Sequence, residues 1–287
     1  MTNNQNNMII AQITDLHIGF EGKDQPCLNS KKLQTVMHRL NAQILKPDIL
    51  LITGDLTHSG ESWAYSKLHE QFDDIEYPIL WAIGNHDDRK AFAGTFPDAE
   101  FNDGFLQYAL EDWPLRIVTL DTLKTGFHGG ELCQKRLAWL DETLSKKPDQ
   151  PTLVAMHHPP IHTGIGWMTE REDAQWLLNF QDIVKKHNQV IHITAGHIHR
   201  PIFRKFEHAT ISVCPAIAPE VNLELAPIDP DKIDGRPLLI DSFPGYCLHQ
   251  WNGKNLTTHT ATVSGGDVIV KHDEDHGFIV RYTMDGK

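Results

Sequence analysis

The chain has 287 residues, 40% of them apolar and 22% charged, which is enough apolar material for a sizeable core. Lys and Arg total 26 against 38 Asp and Glu, so the formal net charge is -12. A surface that acidic repels a long polyanion and argues against extended nucleic acid as a partner. A small phosphate ester stays open, because bound metal ions reverse the field locally.

Residues 1–7 are polar and Asn-rich, and a disordered tail is expected there. The apolar run that follows is too short for a signal sequence or a membrane span. Cys27, Cys133, Cys214 and Cys247 are scattered and form no C-x-x-C pair. A cytoplasmic protein without membrane contact is therefore expected.

Residues 8–14 are apolar and β-branched, predict a buried strand, and run into Asp15-Leu16-His17. Leu33, Val36, Met37, Leu40 and Ile44 then recur at helical spacing, with Asn29 or Ser30 as the expected N-cap. Strands are predicted at 48–53, ending on Gly54-Asp55, and at 78–83, ending on Gly84-Asn85-His86-Asp87. Leu137, Leu140 and Leu144 mark a second helix, and residues 152–156 a strand that meets His157-His158-Pro159-Pro160. Ala174, Leu177, Leu178 and Val184 mark a third helix, followed by a strand at 190–194 and the run Ala195-Gly196-His197-Ile198-His199. After Pro201 only strands are expected, at 202–206, 210–213, 246–251 and 256–261, interrupted by a Pro- and Asp-rich loop insertion at 215–245. Strands alternating with helices predict a layered α/β fold, and the lack of repeats or linkers a single domain over 8–287.

The chemistry lies at the strand ends, where ligands bind in open α/β sheets. In an extended chain the two-residue spacing of Asp15 and His17 puts both side chains on one side, and His197 and His199 repeat it. Gly54 and Gly84 stand just before Asp55 and Asn85, where a bare backbone permits a tight turn and close packing. Imidazole with carboxylate suits Zn, Fe, Mn or Co rather than Ca or Mg alone. Each motif by itself has an ordinary reading as a loop, turn or helix stop. Their joint occurrence, each after an apolar run, points to one metal site.

The series Asp15-x-His17, Gly54-Asp55, Gly84-Asn85-His86-Asp87, His157 and Gly196-His197-x-His199 resembles the signature of the calcineurin-like metallophosphoesterases over roughly residues 8–251. The resemblance implies a four-layer αββα sandwich, with two mixed sheets flanked by helices and the metal site at the strand C-terminal ends. It looks closest to the bacterial branch of class III cyclic-nucleotide phosphodiesterases and glycerophosphodiesterases. Arg89 after the Asn-His-Asp-Asp run, His157-His158-Pro159-Pro160, Arg200-Pro201 and the late Pro244-Gly245-Tyr246 carry that finer likeness. Purple acid phosphatases have Tyr three residues after the bridging Asp; His58 stands there instead. By resemblance, Asp15, His17 and His199 hold one metal, Asn85, His157 and His197 the second, and Asp55 bridges them. His158 is then a packing neighbour, and His86 and Asp87 lie outside the ligand set.

Two such ions, of Fe, Mn, Zn or Co, would activate a hydroxide for in-line attack on a phosphodiester. His86, next to Asn85, is the candidate general acid. Arg89 and Arg200 are candidates for substrate contact or for surface salt bridges. The Gly- and aromatic-containing loop 161–169 reads as a substrate wall, with His162 and Trp167 its candidate contacts. The expected function is hydrolysis of small phosphodiesters, 3′,5′-cyclic nucleotides such as cAMP first and glycerophosphodiesters second. A phosphomonoesterase and a catalytically silent binding scaffold are the alternatives. The apolar residues in 215–245 predict either a homo-oligomer contact or a cover over the chain's own second sheet.

Overall fold

In β1 (Met8–Ile13), Met8 and Ile10 enter one core while Ala11 and Ile13 enter another, as the two-residue period of a strand requires. The computed structural model describes residues 7–264, 266 and 268–285, so the expected N-terminal tail lies outside the described residues except for Asn7. Helix α1 (Leu28–Asn41) leads to β2 (Ile49–Thr53), α2 (Ser62–His69), β3 (Ile79–Ala82) and α3 (Arg89–Thr95). Then come β4 (Tyr108–Leu110), β5 (Arg116–Thr119), α4 (Gln134–Ser145), β6 (Thr152–Ala155), α5 (Gln175–Lys186) and β7 (Val190–Ala195). The chain continues through β8 (Ile202–Phe206), β9 (Ala209–Val213), β10 (Glu220–Val221), β11 (Leu239–Ile240), β12 (Gly245–Trp251), β13 (Leu256–Thr262) and α6 (Gly277–Asp285).

One sheet has the order β13-β12-β1-β2-β3 and the other β4-β5-β6-β7-β9-β8. Both are mixed, with parallel interior pairs such as β1–β2 and β6–β7 and antiparallel strands outside them. Met8, Ile10, Ile49 and Leu51 of the first sheet meet Ile117, Leu153 and Ala155 of the second in the layer between the sheets. Ala11, Leu50 and Ile52 face the other way, onto α1 and α2. Val118, Val154 and Ile193 face α4 and α5. Each fully buried Leu or Ile in these layers contributes about 1.5–3 kcal/mol. The result is the four-layer sandwich with two mixed sheets, as expected.

Several boundaries differ from the sequence reading. Helix α1 starts at Leu28 behind Cys27, and Asn29 lies inside its first turn, where its amide donates to the His17 carbonyl (3.2 Å). Ile44 lies beyond the helix and is fully exposed, and Leu178 of α5 is also exposed. The short elements α2, α3, β4 and β5 carry no long periodic pattern and were not predicted. Helix α6 corrects the expectation of strands only after Pro201. The 215–245 segment holds the small β10–β11 pair, and most of its apolar side chains, including Leu223, Leu225 and Phe243, are exposed. Val221, by contrast, is buried against Val213 and Ile202 of the second sheet.

A buried polar network joins the two sheets. The Gln12 amide donates to Thr53 Oγ1 (2.8 Å), and its Oε1 accepts from Thr194 Oγ1 (2.7 Å) and lies 3.0 Å from His249 Nε2. On the second sheet His192 lies between Thr210 Oγ1 (2.7 Å) and Ser212 Oγ (2.8 Å). Burial lowers His192 from 6.5 to about 4 and holds His249 well below its ordinary value. The unfolded chain therefore binds protons that the folded one refuses between pH about 6.5 and 4. The stability is present above pH 6.5 and is lost as pH falls toward 4, by about 3 kcal/mol for His192 alone. Denaturant unfolding of wild type and His192→Gln at pH 7 and pH 5 checks this: the variant's acid loss should be the smaller, and equal losses overturn it.

Candidate metal centre

The loops after β1, β2, β3, β6 and β7 converge at one edge of the sandwich. Their backbones are zipped together: Asp15 N–H donates to Gly54 O (3.0 Å), His17 N–H to Asp55 O (2.9 Å) and Gly196 N–H to His157 O (3.0 Å). Asp15, His17, Asp55, His197 and His199 all adopt positive φ, from 43° to 71°. Asp15 and His17 therefore converge through left-handed turns, which corrects the extended geometry expected from their spacing. Such conformations cost on the order of 1–3 kcal/mol each and collect at functional sites. Gly54 has φ +90°, and a Cβ there would lie 2.5 Å from His157 Nδ1. A Cβ on Gly84 would lie 2.2 Å from Asp55 Oδ1. Both glycines are needed for close approach, and Gly54 also for its turn.

Asp15, His17, Asp55 and His199 are buried, with donor atoms all within 4.8 Å of one another. His199 Nε2 is 3.3 Å from Asp15 Oδ1, and His17 Nε2 is 3.2 Å from His199 Nε2. Asp55 Oδ2 stands 3.5 Å from His17 Nε2 and 3.3 Å from His157 Nε2. On the far side of Asp55, Asn85 Oδ1 is 3.2 Å from His157 Nε2, and the His197 ring centre is 5.2 Å from that of His157. Ligands about 2.0–2.2 Å from a common ion stand roughly 3–4 Å apart, which these separations match.

The outer nitrogens are occupied, which turns the inner ones toward the centre. His157 Nδ1 meets Thr53 O (2.8 Å) and His199 Nδ1 meets Pro219 O (2.6 Å), so each Nδ1–H donates outward and each Nε2 is the nitrogen turned to the centre. His17 Nδ1 meets His58 Nδ1 at 3.3 Å. His158, although near His157 and His197, is excluded as a ligand by its bonds. Thr122 Oγ1 accepts the His158 N–H (3.2 Å) and so donates its hydroxyl to His158 Nδ1 (2.8 Å), while Nε2–H donates to His128 O (3.1 Å). Both ring nitrogens are spent.

The electrostatics follow from burial among carboxylates. Burial pushes the Asp55 carboxyl up, but His157 and His17 hold it well below its ordinary value. Burial disfavours charge on His157, yet Asp55 and Asp15 raise it to about 9. Burial takes His17 down to about 3, while burial and the neighbouring His158 hold His197 well below 6.5. His17 and His197 are thus neutral donors beside two carboxylates, while Asp55 and Asp15 favour the protonated forms of His157 and His199, which an ion bound there would displace.

Around the centre the expectations divide. His86 N–H donates to Asp55 Oδ1 (2.9 Å) and its Nδ1–H to His58 O (2.7 Å), which leaves Nε2 free on the wall of a cleft. That cleft, of about 150 Å³, is also lined by Phe20, His58, His128, Trp167 and Leu239. Asp87 is a loop clamp: its carboxylate accepts from the N–H groups of Gly84, Leu56 and Thr57 and from the Tyr65 hydroxyl. Burial and the Asp55 charge push it up to about 6. Arg89 is held bidentate by buried Asp121, with both contacts at 2.7 Å. Arg200 is held by Glu220 and the Val221 carbonyl, both at 2.9 Å. His162 lines a different cavity, with Arg204 and Glu207, so the structure separates it from Trp167. His58 and His128 were missed as cleft residues. His58 stood three residues after Asp55, but His128 lies in a loop without any local signal.

Two mixed sheets closing on paired His–Asp clusters define a metallophosphoesterase-type centre. Residues 8–201 match the calcineurin-like phosphoesterase family, and the chain belongs to that family. Among curated relatives, a probable glycerophosphodiester phosphodiesterase GpdQ of Arcobacter nitrofigilis is 28% identical over 89% of this chain and 93% of its own length. A probable cyclic nucleotide phosphodiesterase of Rhodopseudomonas palustris is 35% identical over 68% and 73%. The 3′,5′-cyclic adenosine monophosphate phosphodiesterase CpdA of Escherichia coli K12 is 29% identical over 67% and 70%. A solved dimetal phosphatase from Danio rerio superposes with TM-score 0.60 over 90% of this chain and 99% of that one, at 13% identity, a likeness of fold. Among the described residues no helix is long and apolar enough to cross a membrane.

Proposed function

We propose that this chain is a dinuclear metal-dependent phosphodiesterase acting on small diesters, cyclic nucleotides or glycerophosphodiesters. The observation that carries the reading is Asp55 Oδ2, 3.5 Å from His17 Nε2 on one side and 3.3 Å from His157 Nε2 on the other. In this reading Asp15, His17 and His199 hold one ion, Asn85, His157 and His197 the second, and Asp55 both. Two bound ions supply Lewis-acid polarisation of the phosphoryl group and a water of lowered pKa. His86, anchored through Nδ1–H, would in its imidazolium form give the leaving alkoxide the proton on Nε2 and be left as the neutral ring. Trp167 and Phe20 receive the organic arms in the cleft. The family membership and the phosphodiesterase names of the relatives support the same reading.

Purified protein should hold close to two transition-metal ions per chain. Chelation should abolish turnover, and Mn, Co or Zn should restore it. Elemental analysis beside a chelation series reads this, and full activity in stripped protein overturns it. A diester should also be preferred: kcat/KM for bis(4-nitrophenyl) phosphate or cAMP should exceed that for 4-nitrophenyl phosphate. Trp167→Ala should weaken nucleotide substrates more than glycerol diesters, by the roughly 1–3 kcal/mol of a stacked base. A clearly better monoester removes the phosphodiesterase label.

A cytoplasmic location fits the free thiols of Cys27, Cys133, Cys214 and Cys247. A homo-oligomer would account for the exposed Leu223, Leu225, Leu238 and Phe243, and a strict monomer at micromolar concentration in solution would remove it.

A further inference from the structure

The metal cleft continues into a second cavity of about 180 Å³, shared through His128, Trp167 and Met168 and bounded by the candidate ligand His197. Among the residues lining it, Glu170 is the one carboxylate, and no Lys or Arg is present. Glu170 reaches in because residue 129 is glycine: a Cβ there would lie 2.2 Å from Glu170 Oε1. Neither neighbouring cation pairs with it in this structure, and Lys124 meets Glu170 only across a separate cavity. Arg171, its neighbour in sequence, pairs with Asp173 (2.6 Å), and Lys124 lies over the Phe127 ring (4.1 Å). A half-buried carboxylate without a cation thus faces a cavity that Trp167 also walls, three residues away on the same segment.

A carboxylate beside an aromatic face is a receptor for an ammonium group, which the ring quadrupole and the anion attract together. Phosphate oxygens fit poorly beside Glu170, since like charges repel. Building on the phosphodiesterase reading, we propose that Glu170 and Trp167 form a specificity subsite for the second alcohol of the diester, selecting one that bears an ammonium group over a neutral or anionic one. The phosphoryl group then lies at the His–Asp centre, with its amino-alcohol arm in the Glu170 cavity.

The test compares three diesters of glycerol phosphate, esterified with ethanolamine, with N-acetylethanolamine and with glycerol. Wild-type kcat/KM should favour the ethanolamine ester about five- to tenfold, the size of one partly buried charge and aromatic contact. Glu170→Gln should bring the ratio near one, and Glu170→Lys should invert it. Gly129→Ala, which displaces the carboxylate without removing it, should also lower the ratio. A second readout limits turnover: calorimetric titration of metal-loaded His86→Ala protein with glycerophosphocholine should show binding that weakens with salt and with Glu170→Gln. A wild-type ratio near one, or a ratio and a binding constant unmoved by Glu170→Gln, overturns the subsite and leaves the phosphodiesterase reading standing. Wild type inert toward all three diesters and toward bis(4-nitrophenyl) phosphate overturns that reading itself.

Discussion

Asp55→Ala should remove tight metal binding and turnover together, while His86→Ala should keep the metal and lose only rate. Asp55 presents one oxygen to His17 and His157 and accepts the His86 N–H with the other (2.9 Å), so its loss opens both halves of the centre and frees the following loop. The bared imidazoles of a buried site, with Asp15 the one remaining carboxylate among the clustered donors, hold a second divalent ion poorly. The expected fall in kcat is several orders of magnitude, with metal content well below two per chain. His86 touches the cluster through its backbone and hydrogen-bonds His58 through its ring, so its truncation leaves every candidate ligand in place. A fall in kcat of about 10²–10⁴ with unchanged metal content is expected if it is the proton donor. Metal analysis and kcat measured on the same preparations decide. Equal metal loss in both variants would mean that His86 supports the cluster rather than the leaving group.

The second large effect lies away from the chemistry. Asp121→Ala should destabilise the fold by about 3–5 kcal/mol, because it strands charges that the interior cannot solvate. Asp121 is fully buried and takes both prongs of Arg89 at 2.7 Å, with Arg136 3.8 Å away and itself 2% exposed. It also accepts the Leu106 and Leu123 N–H groups at 3.0 Å each. Removing the carboxylate leaves Arg89 and two backbone donors short of an acceptor and takes from Arg136 one of its two anionic neighbours. The loss corresponds to a Tm shift on the order of 10 °C, with Asp121→Asn intermediate because the amide oxygen keeps one acceptor. Thermal melting of the metal-loaded proteins reads it. An Asp121→Ala protein as stable as wild type would show that Arg89 is not held by this pair.

The strands around the centre were legible because their burial demands runs such as Ile49-Leu50-Leu51-Ile52, and such runs stand out in a chain. Short elements without a run of their own were not. β5 is fully buried, yet Arg116 opens it, and that arginine is tolerated because Glu111 and the Thr143 carbonyl meet its guanidinium at 2.7 and 2.8 Å. Helix α3 owes its start to the Asp88 side chain accepting from Ala91 N–H (2.8 Å), a cap with only a short stretch behind it.

What the amino-acid order determines by itself is the kind of donor at each strand end: carboxylate, carboxamide or imidazole, placed by the local rule that an apolar run must stop where the chain turns toward a ligand. That was enough to identify the family and to name the residues of the candidate centre. The tertiary structure decided what each side chain does, since those choices depend on atoms far away in the chain. Thr53 O and Pro219 O select the nitrogens that His157 and His199 turn inward, and Thr122 removes His158 from the ligand set. Asp121 and Glu220 engage Arg89 and Arg200, and the bare Gly129 lets Glu170 into the cavity that His162 does not line. A hydrogen bond forms over about 3 Å of space whatever the separation in sequence, so no local pattern announces it.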